Sequence, residues 1–152
     1  MPAGVRTIRL EIASAVEMLD LVKLVTDHIG QRAGLDDEAV HWFSMAVREC
    51  VTNAIVHGNC DASRMVSVEF TAAPAAEPSE LVVCVRDQGQ GFDPTQLPDP
   101  LAPENILRTS GRGIFLMRQF MDDVSIKRTS EGGMEVRMTK RIRPAQPEAK
   151  VR

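Results

Sequence analysis

No stretch of this chain approaches the ~18 consecutive apolar residues of a membrane-spanning helix, so nothing in it reads as a helical span. Basic residues are not in excess either: 18 Lys and Arg stand against 21 Asp and Glu, a formal charge of −3. A general nucleic-acid binder would show a basic patch or stripe, and direct nucleic-acid contact is not expected. The opening MPAGVRTIRLEIA lacks a charged segment followed by an apolar block, so no secretory signal is expected. Cysteine is scarce, and Cys50, Cys60 and Cys84 are odd in number and lack metal-type spacing. Cys50 and Cys84 fall in apolar patterns, where buried free thiols are common. A Walker phosphate loop, G-x-x-x-x-G-K-S/T, occurs nowhere. These absences point to a soluble, cytoplasmic protein in a reducing compartment.

What is present suits one compact domain. A chain of 152 residues can bury roughly 68–70% of its unfolded surface, enough for a core without staples. Val5 to Ile12 alternates like a strand, with Ile8, Leu10 and Ile12 on one face. Ser14-Ala-Val-Glu17 has capping-box spacing, which predicts a helix starting there. Leu21, Val22, Val25, His28 and Ile29 continue it, with His28 as a partly buried neighbour of the core, and Gly30 or Gly34 could end it. A second helix is predicted from Asp36 or Asp37 to His57, stopped by Gly58, with Val40, Phe43, Val47, Val51 and Ala54 facing the core. The period then changes to two. Val66, Val68 and Phe70 mark one strand, and Leu81, Val83 and Val85 the next. Residues 87–113 are rich in Gly, Pro and polar side chains, and a loop this long in a compact domain is usually functional or disordered. Ile114 to Met121 reads as a short helix, and Val124–Arg128 pairs with Met134–Ile142 across Glu131-Gly132-Gly133. The sum is an α+β two-layer sandwich: a mixed, mostly antiparallel sheet against about three helices, spanning residues 1–142, with 143–152 as a tail.

Three pieces carry chemistry. In RECVTNAIVHGN, Glu49, Asn53 and His57 recur every fourth residue, and four residues drift only about 40° around a helix. One face therefore presents an acid, an amide and an imidazole. A solvated polar stripe is one reading. The other is the wall of a cation–phosphate site, because Mg²⁺ takes one or two protein oxygens plus substrate phosphates, and an acid one turn away can accept a proton from an attacking hydroxyl. In LVVCVRDQGQGFD, an apolar strand runs into Asp87, followed by Gly89 and Gly91. An ordinary turn favours these residue types; alternatively Asp87 accepts from a ligand amine while the glycines admit the ligand closely. In TSGRGIFLMRQFMD, a Gly-rich turn opens an apolar helix, a geometry suited to phosphate. Arg112 adds a guanidinium there, although Arg112 and Arg118 equally suit a solvated surface.

The ordered set E-x-x-x-N-x-x-x-H, strand-D-x-G-x-G, then G-x-G-helix resembles the ATP-binding fold shared by gyrase B, Hsp90, histidine kinases and MutL. VRECVTNAIVHGN and GRGIFLMRQFMDDV look closest to the small bacterial anti-sigma factor serine/threonine-protein kinases of the partner-switching type, over roughly residues 6 to 142. The resemblance implies a long ATP lid, an ATP–Mg²⁺ cofactor pair and a role for each matching residue. Glu49 would be the general base, Asn53 the Mg²⁺ ligand, and His57 would face the phosphate end. Asp87 would hold the adenine amine with Gly89 and Gly91 beside it, and Ser110, Gly111, Arg112 and Gly113 would close over the phosphates. One departure is Gly133-Met134 where many relatives of the wider superfamily have Gly-Thr, which puts one adenine contact in doubt. Such proteins are typically homodimers that hold a sigma factor inactive and phosphorylate an antagonist of the STAS class.

Two other functions fit parts of the sequence. A non-catalytic nucleotide-binding module that only sequesters a protein partner would have no need of Glu49. The catalytic half of a histidine kinase would need a phospho-accepting His on a dimerisation hairpin, and about 40 residues ahead of Glu49 cannot supply it beside the first strand and helix.

Overall fold

The computed structural model describes residues 6–59, 63–74, 78–90 and 117–142. Strand β1 (Arg6–Ala13) pairs antiparallel with β2 (Met65–Ala73), which pairs antiparallel with β3 (Glu80–Arg86). The sheet continues through β5 (Met134–Arg141) to β4 (Asp123–Arg128), giving the order β1-β2-β3-β5-β4. Every described pairing is antiparallel, as expected of a mostly antiparallel sheet. The period-two pattern sets its inner face: Val66, Val68, Phe70, Leu81, Val83 and Val85 are all at most 2% exposed. The β4–β5 connection closes where expected, with Thr129 N–H donating to the Gly133 carbonyl at 2.7 Å and Gly132 at φ 98°.

Helix α1 (Met18–Ala33) and helix α2 (Asp37–Asn53) form the second layer. Asp36 caps α2, its carboxylate accepting from Ala39 N–H at 2.8 Å. The expected stripe of Val40, Phe43, Val47, Val51 and Ala54 is buried throughout. Gly34, at φ 101°, ends α1: its N–H reaches the Gln31 carbonyl and Leu35 N–H reaches that of Gly30, the Schellman pattern. A helical turn over residues 117–120 sends Met117 into the core, followed by Met121. Phe120 stacks on Trp42 with ring centroids 4.2 Å apart and nearly parallel planes, tying this turn to α2.

Three local expectations are corrected. The capping box does not form: α1 begins at Met18 with no side-chain cap at Glu17. Ser14 Oγ instead donates to the Arg64 carbonyl at 2.7 Å, a bond to a residue 50 positions away. Within α1, His28 faces solvent, because the buried line runs through Leu19, Val22, Thr26 and Ile29. Finally, Gly58 does not stop α2. The helix leaves α geometry at Asn53 and continues as a wider π-helical turn, Ala54–Asn59, in which Gly58 lies. The expected lid and the tail over 143–152 lie outside the described residues, as does Cys60.

Candidate functional site

The end of α2 comes to the end of β3, where Gly58 in the turn that follows the helix meets Asp87. Glu49 and Asn53, one turn apart, are both half-buried. Neither side chain hydrogen-bonds or ion-pairs with another described residue. A solvated stripe would be fully exposed and a structural polar pair would be satisfied, and these two are neither. His57 follows on the wider turn and is exposed. Such π segments are frequent at functional sites.

That turn lays backbone directly against Asp87. A Cβ added at Gly58 would overlap the Asp87 carboxylate, and one added at Gly89 would overlap the Gly58 carbonyl. A third contact of this kind involves Gly133, where a Cβ would overlap the Asp87 carbonyl. Three glycines thus let three backbone segments close around one acid, all three without the positive φ for which glycine is usually chosen. Asp87 is half-buried. Its Oδ1 accepts from Gly89 N–H at 2.9 Å and Met134 N–H at 3.1 Å. Its Oδ2 receives no hydrogen bond from the described residues. One oxygen is anchored and the other is left as an acceptor.

Met134, which stands in place of the expected threonine, takes part through its backbone: its carbonyl also accepts Asp87 N–H at 3.0 Å, while its side chain is 2% exposed. Beneath the site, burial pushes the Cys50 thiol far up, and the nearby Asp87 charge acts in the same direction. Cys50 is therefore a neutral core thiol rather than a nucleophile.

The other side of the strand end faces a different environment. A cavity of about 670 Å³ there is lined by Arg86, Asp87, Gln88, Glu135 and the 129–131 turn, and shares with the α2 side only the end of β3. Glu135, across from Arg86 in the sheet, bonds Arg86 Nε at 2.6 Å and Lys127 Nζ at 3.1 Å. Burial raises the Glu135 carboxyl, but these hydrogen bonds and charges together outweigh it and hold the group below the usual range. Among the described residues no group of three or more His, Cys, Asp or Glu could hold a metal by itself.

Of the residues singled out by sequence, the structure brings the polar end of α2, Asp87 and Gly89 to one place. Gly91, Ser110, Gly111, Arg112 and Gly113 lie outside the described residues. Two residues that hold the site together carried no assignment. Asn59, only 3% exposed, and Gln88 bond one another across the gap between the π turn and the strand end. The available signal was the position of Asn59, directly after the His-Gly that ends the helix motif.

Residues 12–140 match the family model for the histidine kinase-like ATPase domain. The chain is 31% identical over 147 residues to serine-protein kinase RsbW of Bacillus velezensis, covering 92% of this chain and 88% of that one. Against RsbW of Staphylococcus aureus it is 27% identical over 147 residues, covering 91% of this chain and 89% of the relative. It also superimposes on a crystal structure of the RsbU and RsbW domains of a Mycobacterium tuberculosis protein, with a TM-score of 0.65 at 17% identity. That match covers 93% of this chain and 34% of the larger one, and it speaks to the fold. The α+β sandwich, the α2 motif laid against Asp87 and these likenesses agree: the chain belongs to the histidine kinase-like ATPase domain family and, within it, with the RsbW serine-protein kinases.

Proposed function

We propose that this chain is an ATP-dependent protein-serine kinase and anti-sigma factor, which phosphorylates a STAS-type antagonist and sequesters a sigma factor as a cytoplasmic homodimer. The observation that carries the reading is the set of two half-buried groups on α2, Glu49 and Asn53, without side-chain partners among the described residues, and an Asp87 with one carboxylate oxygen anchored and the other free of hydrogen bonds from those residues. An adenine amine is a donor of the kind Oδ2 lacks, and Asn53 offers one oxygen of the hard donor type that Mg²⁺ takes beside substrate phosphates and waters. The ion, when bound, would neutralise charge on the phosphates. Glu49 would take the proton from the substrate serine Oγ as the Oγ–P bond forms and the bond from the γ-phosphorus to the ADP oxygen breaks. His57 and residues Gly91, Ser110, Gly111, Arg112 and Gly113 would complete the phosphate side. Positioning and charge neutralisation supply most of the rate in such transfers. Partner identities come from the family, since neither composition nor geometry specifies a sigma factor.

The test uses the purified protein, Mg²⁺ and γ-labelled ATP with a lysate of the source cells. Wild type is expected to yield a discrete band of acid-stable phosphoserine. Glu49→Gln is expected to bind ATP normally while transfer falls at least about 10²-fold, the usual scale for losing a general base. Undiminished transfer by the variant would remove Glu49 from that role. ATP binding without any labelled band from wild type would leave a nucleotide-controlled sequestering module.

A further inference from the structure

Asn59 is almost entirely buried and its amide is fully engaged. Nδ2 donates to Ser14 Oγ at 2.7 Å and to the Met65 carbonyl at 3.1 Å, while Oδ1 accepts Gln88 N–H at 2.6 Å. One side chain thus joins the β1–α1 connection, the π turn after α2, the start of β2 and the segment after β3. Gln88, although exposed, is held on every side. Its carbonyl accepts from Arg64 Nη1 at 2.8 Å, and its Oε1 accepts Met65 N–H at 2.9 Å. Gln88 therefore has its N–H, its carbonyl and its side chain all fixed, and among the described residues the N–H by Asn59 alone.

We infer that Asn59 is a positioning residue for nucleotide: it locks the Asp87-Gln88-Gly89 segment onto the end of α2, so that Asp87 and Asn53 keep one separation. The chemistry requires an amide. The neighbours are an acceptor carbonyl, a hydroxyl already donating to Arg64, and an N–H donor. Only a side chain with two donors and an acceptor satisfies all three. An apolar residue would leave the Gln88 N–H and the Met65 carbonyl without these part-buried bonds, each loss an incentive for the segment to leave its place. The inference rests on the reading of Asp87 as the adenine acceptor. It predicts an effect on binding rather than on transfer. When only a fraction of molecules holds the competent arrangement, apparent affinity drops by that fraction.

The experiment measures ATP and GTP dissociation constants, the KM for ATP, kcat and the unfolding midpoint of the full chain. Asn59→Ala is expected to weaken ATP binding about tenfold, the scale of one lost hydrogen bond, with kcat at saturating ATP within about threefold. Its preference for ATP over GTP is expected to shrink, because the amine-reading oxygen is no longer held in register. Ser14→Ala removes a bond to Asn59 while leaving the Gln88 bond intact, and is expected to lower the unfolding midpoint with ATP affinity almost unchanged. Asn59→Ala with wild-type affinity and selectivity but a lowered midpoint would make the residue merely structural and overturn the inference. Should that variant fail to fold, amide exchange in wild type decides: Gln88 N–H is expected to be protected without nucleotide, and free exchange there would refute the lock. Asp87→Ala separates the two levels. If it binds ATP like wild type, the adenine reading fails. If it loses ATP while Asn59→Ala keeps it, only the positioning role fails.

Discussion

Replacing Gly58 by alanine tests the centre of the site with a single methyl group. Gly58 does not have a positive φ, so alanine meets no backbone penalty there and gains about 0.5–1 kcal/mol in a helical setting. Were Gly58 the helix stop suggested by its place in the sequence, the cost would come from left-handed backbone. Here it comes from the Asp87 carboxylate, which the new Cβ would overlap. To move aside, Asp87 must give up its bonds from Gly89 and Met134 N–H groups at 2.9 and 3.1 Å. A hydrogen bond to a charged group contributes about 1.5–3 kcal/mol. Losing one or both, less the helical gain and the water that reaches a half-buried carboxylate, leaves a net cost of roughly 2–4 kcal/mol. For a domain of this size that corresponds to a fall in Tm of about 4–16 °C. Urea unfolding of Gly58→Ala, Asp87→Ala and the double variant would measure it. In the Asp87→Ala background the methyl meets only the Cβ of residue 87, at 3.1 Å, which a small shift relieves. The two changes are therefore expected to couple by about 1.5–3 kcal/mol. Additivity within about 0.5 kcal/mol, or wild-type stability for Gly58→Ala, would refute the reasoning.

Two further outcomes follow from other contacts of the fold. Glu135, paired with Arg86 and Lys127, has its folded pKa held below the ordinary carboxyl value, so its stabilisation is full at neutral pH and is lost as pH falls through the ordinary value toward the lowered one. Glu135→Gln is expected to flatten that acid limb in urea midpoints taken from neutral pH to about pH 3, a window set by the ordinary Glu pKa near 4.3; an unchanged slope would count against the pairing. Asp36→Ala removes the cap on Ala39 N–H and is expected to cost about 1 kcal/mol, read as a lower urea midpoint at constant slope, whereas Asp36→Asn is expected to retain most of it.

Much of this architecture is written in local periodicity. Alternation in β1, β2 and β3 assigns a face to each residue because successive side chains in a strand point opposite ways. The stripe from Val40 to Ala54 does the same for α2, and Gly34 and Asp36 mark helix ends through their own backbone and side-chain chemistry. The motif residues Glu49, Asn53 and Asp87 were likewise legible from spacing, because each lies at a fixed place on a helix or at a strand end. What local pattern misassigned was Ser14, Gly58 and the solvent-facing His28. Ser14 had a capping partner three residues away but found better ones in Arg64 and Asn59. Gly58 reads as a helix stop until Asp87 is laid against it. Asn59 and Gln88, 29 residues apart in sequence, exchange a hydrogen bond that leaves no periodic trace. Helix and strand periods report which face of an element is buried. Only the tertiary structure determines which polar atoms meet across that buried layer, because the partners are chosen by packing and not by position along the chain.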